Sequence, residues 1–229
     1  MFPNSLYLIL TVPALLLGLY AQSKIRSSYR KYLAVPNSRG ITGVQSAQVL
    51  MSRAGLTGVQ IEGVRGELTD HYDPRGKVLR LSAGVANSRS VAALGIVAHE
   101  VGHAQQDWQG YMPMKMRSGL VPVVNLGTWL GPGLFILGLF LQSPGIAKLG
   151  LIIFSAAVIF TAVTLPVELN ASSRALKLLQ QTNLLDSQEL AGARSVLNAA
   201  ALTYWAALAQ SISQLLYYGA LVGGMRDRD

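Results

Sequence analysis

The sequence predicts a mainly α-helical membrane protein, with about four transmembrane helices and a small α+β region outside the bilayer. Three observations predict it. Of 229 residues, 51% are hydrophobic and only 13% are charged, whereas a soluble domain carries about a quarter charged residues. The charges are also clustered: residues 1–23, 118–147, 149–167 and 195–225 contain none, giving runs of 23, 30, 19 and 31 residues. A helix needs about 20 apolar residues to cross the hydrocarbon core, and four such runs in one short chain exceed what buried helices of a soluble domain account for.

The first span is placed at 3–22. No Lys or Arg precedes Lys24, so the positive region of a secretory signal peptide is missing and this span is expected to stay attached. The non-membrane part follows at 24–119. It contains a helix from Gly43 to Ala54 stopped by Gly55, a strand marked by Val59, Ile61 and Val64, and a second strand marked by Val78, Leu79 and Leu81. An Asp73-Pro74-Arg75-Gly76 turn precedes that second strand, and Leu68 to Pro74 reads as a polar loop. A helix then starts after Ser90, a suitable N-cap. Spans two and three, at 120–142 and 147–167, are joined by Gln142-Ser143-Pro144-Gly145, so they form a tight helical hairpin. Residues 168–198 return to the polar side, with Asp186 and Glu189 as N-cap and third residue of a helix beginning near Ser187. The last span, 199–223, is the least apolar. Gln210, Ser211, Ser213 and Gln214 make it amphipathic, so that it faces a polar cavity or lies on the surface. The chain reads as a single membrane-integrated domain, 1–229.

Charge gives the orientation. The net charge is +8, and of 19 Lys and Arg, 16 fall in segments 24–117 and 168–194. The positive-inside rule therefore makes both segments cytoplasmic, with both termini outside. Arg226 and Arg228 count against the last span. The basic residues are scattered through loops, with no basic helix or aromatic array, so nucleic acid is not an expected partner. There is no cysteine, which excludes disulfide frameworks, Cys-ligated zinc, iron–sulfur clusters and thiol catalysis.

The chemistry lies in Val97-Ala98-His99-Glu100-Val101-Gly102-His103. His99 and His103 are four residues apart and so share one helical face, presenting two imidazoles to a single ion. Glu100, between them, is placed to act as general base on water. This is the H-E-x-x-H arrangement of zinc proteases, and two of only three histidines in the chain form it. A catalytic zinc takes three protein ligands and keeps one position open. The candidates for the third are His71, Asp107, Glu168, Asp186 and Glu189. Asp107 shares the histidine face, but eight helical residues span about 12 Å, too far for a common ion. Glu168 directly follows an uncharged 19-residue run, where a carboxylate needs a partner, and two spans return it to the side of His103. His71 remains an alternative. A group must also stabilise the oxyanion of the tetrahedral intermediate, and His71, Tyr72 and Arg174 are the candidates.

With these residues assembled, the chain resembles the YugP-type neutral zinc metallopeptidases of bacterial membranes almost end to end. The blocks that carry the resemblance are 66–74 (Gly-Glu-Leu-Thr-Asp-His-Tyr-Asp-Pro), 79–82 (Leu-Arg-Leu-Ser), 98–104 (Ala-His-Glu-Val-Gly-His-Ala) and 165–172 (Leu-Pro-Val-Glu-Leu-Asn-Ala-Ser). More distantly it is similar to the HtpX and CAAX-prenyl membrane proteases, which carry Glu-x-x-x-Asp after membrane spans, the Glu being a zinc ligand. That resemblance implies a zincin-like (gluzincin) region and the ligand set His99, His103 and Glu168. Ser172 stands where those relatives have Asp, which leaves open whether Asn170 or Asp107 substitutes for that carboxylate. Arg174 falls where they often have Arg, implying an oxyanion or substrate-carbonyl role. By the same analogy, 78–82 is an edge strand that aligns an extended peptide.

The expected protein is a zinc-dependent endopeptidase with one catalytic ion, embedded in the bacterial cytoplasmic membrane with its active site on the cytoplasmic face. Its partners are polypeptide substrates, membrane proteins first, and the lipid bilayer. The sequence leaves its oligomeric state open. An intramembrane site-2-type protease is disfavoured, because the uncharged stretch before His99 runs only from Ser90 to Ala98, too short to sink the motif in hydrocarbon. The alternative from another class is a non-catalytic membrane adaptor with a structural zinc, which would need a fourth protein ligand such as His71.

Overall fold

The computed structural model describes residues 3–226. Along the chain come α1 (Pro3–Leu33), α2 (Gly43–Arg53), β1 (Gln60–Val64), β2 (His71–Asp73), β3 (Val78–Ser82), α3 (Ala83–Ala86), α4 (Val91–Trp108), α5 (Met112–Phe140), α6 (Pro144–Thr182) and α7 (Ser187–Arg226). Asp227, Arg228 and Asp229 lie outside the described residues.

The molecule is mainly helical with a small sheet. Among the described residues, three helices, α1, α5 and α6, are long and apolar enough to cross a membrane. The fourth expected span lies inside α7, a helix of 40 residues that is not in that group. The expected spans lie within longer helices, except that α5 ends at Phe140, two residues short of the expected 142. In particular, the third span and the segment bearing Glu168 are one continuous α6, although Pro166 lies within it. The expected hairpin turn between α5 and α6 is present, with Gln142 in the left-handed region at φ 52°.

The chain divides into two compact units. Among the described residues, unit 1 comprises 3–21, 115–166 and 203–226, and unit 2 comprises 22–114 and 167–202.

In unit 1, small residues let the helices approach closely, as membrane helices do where no hydrophobic force drives them together. A Cβ on Gly131 of α5 would lie 2.9 Å from the Phe154 nitrogen of α6. Phe135 of α5 stacks on Tyr218 of α7 with ring centroids 3.9 Å apart. Three of the four polar residues that make α7 amphipathic, Gln210, Ser211 and Ser213, are engaged by neighbouring helices. Gln210 Nε2 donates to Ala14 O at 3.4 Å and Ser213 Oγ to Leu10 O at 2.5 Å. Ser211 Oγ and Thr161 Oγ1 share a hydrogen bond of 2.9 Å.

Unit 2 holds the sheet, in the order β1-β3-β2. β1 pairs with β3 in parallel, Ile61 opposite Leu79, and β2 pairs with β3 antiparallel, Tyr72 opposite Leu79. The expectation that 78–82 is an edge strand is therefore overturned: β3 is central. Four of its five residues are buried, because a central strand is covered by neighbours as well as by packing on its faces. The stretch read as a polar loop contains β2. The turn after it is built as expected, with the Asp73 carboxylate accepting from the amides of Arg75 and Gly76 at 3.0 and 3.3 Å. The Arg80 guanidinium, together with those amides, holds the Asp73 carboxyl below its ordinary range.

Helix α4 runs through the middle of this unit. Ser90 caps it, its hydroxyl accepting from Ala93 N at 3.1 Å, and 13 of its 18 residues are buried. The Asp186–Glu189 capping box at the start of α7 also forms, with Asp186 Oδ1 accepting from Gln188 N and Glu189 N at 2.8 Å each. Leu94 is fully buried in the main core with Leu50, Leu79, Val97 and Leu179. Leu94→Ala should cost about 2–5 kcal/mol through the cavity it opens. A thermal or denaturant melt checks this, and a loss under 1 kcal/mol would mean that the core around α4 collapses freely.

Candidate metal centre

Helix α4 and the stretch of α6 from 167 onward, both in unit 2, build the site. On α4, the four-residue spacing puts His99 and His103 on one face, their rings meeting edge to face with centroids 4.7 Å apart. Helix α6 brings Glu168 against them. Its Oε2 lies 3.1 Å from His99 Nε2 and 3.4 Å from His103 Nε2. Among the described residues, these three side chains form a group whose ligand atoms all lie within 4.8 Å of one another.

The donor set fits a zinc ion on three counts. Two imidazole nitrogens and one carboxylate oxygen are the ligand types of a catalytic zinc site. Both histidines present Nε2 inward because Nδ1 is engaged elsewhere: His103 Nδ1 on Gln106 Oε1 at 3.0 Å and His99 Nδ1 on Ser172 Oγ at 3.2 Å. Such outer hydrogen bonds are the usual means of orienting histidine ligands. The cluster is also largely shielded, with His103 7% and Glu168 3% exposed.

Glu100, 8% exposed, is held by β2. The Tyr72 amide donates to its Oε2 at 3.0 Å. Burial pushes the Glu100 carboxyl above its ordinary pKa, while the neighbouring imidazoles pull it back. Burial likewise disfavours a charged His103, but the Glu168 and Glu100 carboxylates outweigh it and hold that imidazole's pKa above the ordinary histidine value. The Tyr72 phenol donates to Asp107 Oδ2 at 2.7 Å, and Asp107 is also paired with Lys77. Tyr72 therefore clamps β2 to α4 at two points, through its amide and its ring. Burial and the Asp107 carboxylate raise its phenol pKa.

Among the described residues, the remaining sequence candidates lie outside this ligand group. His71 is exposed on β2 with Nδ1 2.8 Å from Thr69 O, and it is not part of the ligand group. Asp107 serves Tyr72 and Lys77. Asp186 and Glu189 are occupied in the α7 cap. Arg174 donates from Nε to Asn170 Oδ1 at 2.7 Å and from a terminal nitrogen to Gln109 Oε1 at 2.6 Å. Sequence reasoning missed Gln106, the Tyr72 amide and the hydroxyl of Ser172. The i, i+3 spacing of His103 and Gln106 was the only available signal, and it shows adjacency without showing which atoms meet.

A model of the family described as "Putative neutral zinc metallopeptidase" matches residues 7–223. The chain belongs to this family. It is 43% identical over 224 residues to the "Putative membrane protease YugP" of Bacillus subtilis (strain 168), an alignment covering 98% of this chain and all of the relative. No solved structure matches it. Among the described residues of this family member, His99, His103 and Glu168 form a group that could hold a metal ion.

Proposed function

We propose that the chain is a zinc-dependent endopeptidase of the bacterial cytoplasmic membrane, with a gluzincin-like H-E-x-x-H centre of one ion. It cleaves membrane proteins or segments close to the membrane, with its active site on the cytoplasmic side. The observation that carries this reading is the meeting of Glu168 with the two histidines beside the buried Glu100. His99, His103 and Glu168 would hold the zinc. When bound, zinc supplies Lewis acidity that polarises the scissile carbonyl and makes water a nucleophile near neutral pH.

The chain's own residues handle the protons. Glu100 accepts a proton from the attacking water and returns it to the amine nitrogen as the C–N bond breaks, while the Tyr72 amide keeps its carboxylate aimed. A structural zinc would fill four protein positions. The ligand group has three members, which favours the catalytic form over an adaptor. Four spans are part of the proposal. Support for α7 as the fourth comes from Gln210, Ser211 and Ser213, whose partners lie in α1 and α6, so their polarity need not face lipid. The excess of Lys and Arg in 24–117 and 168–194 supports the cytoplasmic placement.

The test is metal removal. Protein purified in detergent should carry about one zinc per chain, and Glu168→Gln should lose it. A chelator should stop cleavage of an unfolded or membrane polypeptide, with zinc restoring it. Cleavage that survives complete chelation would sink the reading.

A further inference from the structure

We infer that Arg174 is a positioning residue, acting through Asn170 and Gln106 to fix the His103 ring with Nδ1 protonated and Nε2 presented to the metal. The inference rests on the zinc reading above and assigns Arg174 a role other than the oxyanion one.

The argument follows the donors. Gln106 is fully buried, so its polar atoms need partners inside the protein. Its Nε2 donates to Val167 O at 2.8 Å and to Asn170 Oδ1 at 3.0 Å. A backbone carbonyl only accepts, which fixes the end of the amide that carries the hydrogens. Gln106 Oε1 is then the atom facing His103 Nδ1 at 3.0 Å. An acceptor there requires Nδ1–H, so that in the neutral, metal-binding ring the lone pair is on Nε2, the atom that faces Glu168. The other end of the chain is equally constrained. A guanidinium only donates, so Arg174 Nε at 2.7 Å holds Asn170 with its oxygen toward both Arg174 and Gln106. The second arm of the fork reaches Gln109, the residue that closes the C-terminus of α4. A donor-only group thus stands at one end and a ring nitrogen at the other, and both amides between them have a single orientation.

His99 is treated differently. Its Nδ1 meets the Ser172 hydroxyl, which rotates and can donate or accept. The structure therefore assigns an imposed tautomer to His103 and an adaptable one to His99.

Zinc dissociation constants, read by chelator competition on the full chain in detergent, test this. Losing the acceptor in Gln106→Leu should weaken zinc roughly 10–100-fold, and Arg174→Ala should weaken it about tenfold, the low end of that range. The double variant should bind no more weakly than Gln106→Leu alone, because residues in one network do not add. Arg174→Lys keeps the charge without the planar fork and should resemble Arg174→Ala. Wild-type zinc affinity in Arg174→Ala, with kcat/KM lowered, would overturn the inference and put the guanidinium on substrate. So would additive losses in the double variant. Should Gln106→Leu fail to fold, the zinc-loaded wild type still decides. Long-range proton–nitrogen NMR should show His103 protonated at Nδ1, and a proton on Nε2 instead would overturn the assignment. A wild type that binds no zinc would defeat the zinc reading itself, an outcome distinct from these.

Discussion

Glu100→Gln should reduce peptide hydrolysis by roughly 10²–10⁴-fold, the usual contribution of a general acid–base group, while zinc stays at the wild-type level. The substitution is nearly isosteric and touches none of His99, His103 or Glu168. The Tyr72 amide, now 3.0 Å from the carboxylate, would still find an oxygen to donate to. What disappears, on the proposed mechanism, is the ability to take a proton from water and deliver it to the leaving amine. Stability should not fall, since a buried carboxylate that burial already disfavours is replaced by a neutral amide. Turnover assays and metal analysis on the same preparation separate the possibilities. Unchanged turnover would remove Glu100 from the mechanism, and joint loss of activity and zinc would make it part of the metal scaffold.

Gly102→Ala should lower zinc affinity without touching a ligand. Gly102 precedes His103 on α4 and sits against the α6 backbone three residues beyond Glu168. A Cβ there would lie 2.6 Å from Ala171 O and 3.2 Å from its carbonyl carbon. Backbone atoms cannot rotate away, so α4 and α6 must part. Overpacking of this kind costs about 1–3 kcal/mol, and a metal site tolerates ligand shifts of only about 0.2 Å. The helices that separate are the two that carry the ligands. A zinc constant weakened about tenfold or more, with a lower melting temperature, is the expected result. Gly119→Ala is the control, because nothing lies within 4 Å of its added methyl. Equal zinc affinity in both variants would show that the helix crossing does not set the site.

Much of this centre is legible in the sequence because it depends on local periodicity and on scarcity. Two imidazoles four residues apart share a face on any helix, and Ser90 marks where that helix begins. Charge is so sparse that a carboxylate at the end of an uncharged run attracts notice, which is how Glu168 enters. β2 is not legible. His71-Tyr72-Asp73 is too short to show alternation, and it becomes a strand only because β3 pairs with it and Glu100 accepts its Tyr72 amide. The centrality of β3 was missed for the same reason, since register belongs to pairs of strands and one strand alone does not specify it. Arg174 shows a different limit. Its bond to Asn170 follows from i, i+4 spacing within α6, whereas its bond to Gln109 exists only because α6 crosses α4.

By itself the sequence determined the apolar helices, the orienting excess of positive charge, the two histidines with their glutamate, and the carboxylate to join them. These follow from composition and from spacing along one helix, which no tertiary contact alters. Only the tertiary structure decided which nitrogen of each histidine faces the centre, which strand lies at the sheet edge beside Glu100, and what holds Tyr72, Gln106 and Arg174 in place. Apart from the local His103–Gln106 contact, those outcomes depend on atoms from segments 28 to 73 residues apart, and hydrogen-bond direction is set only when such segments meet.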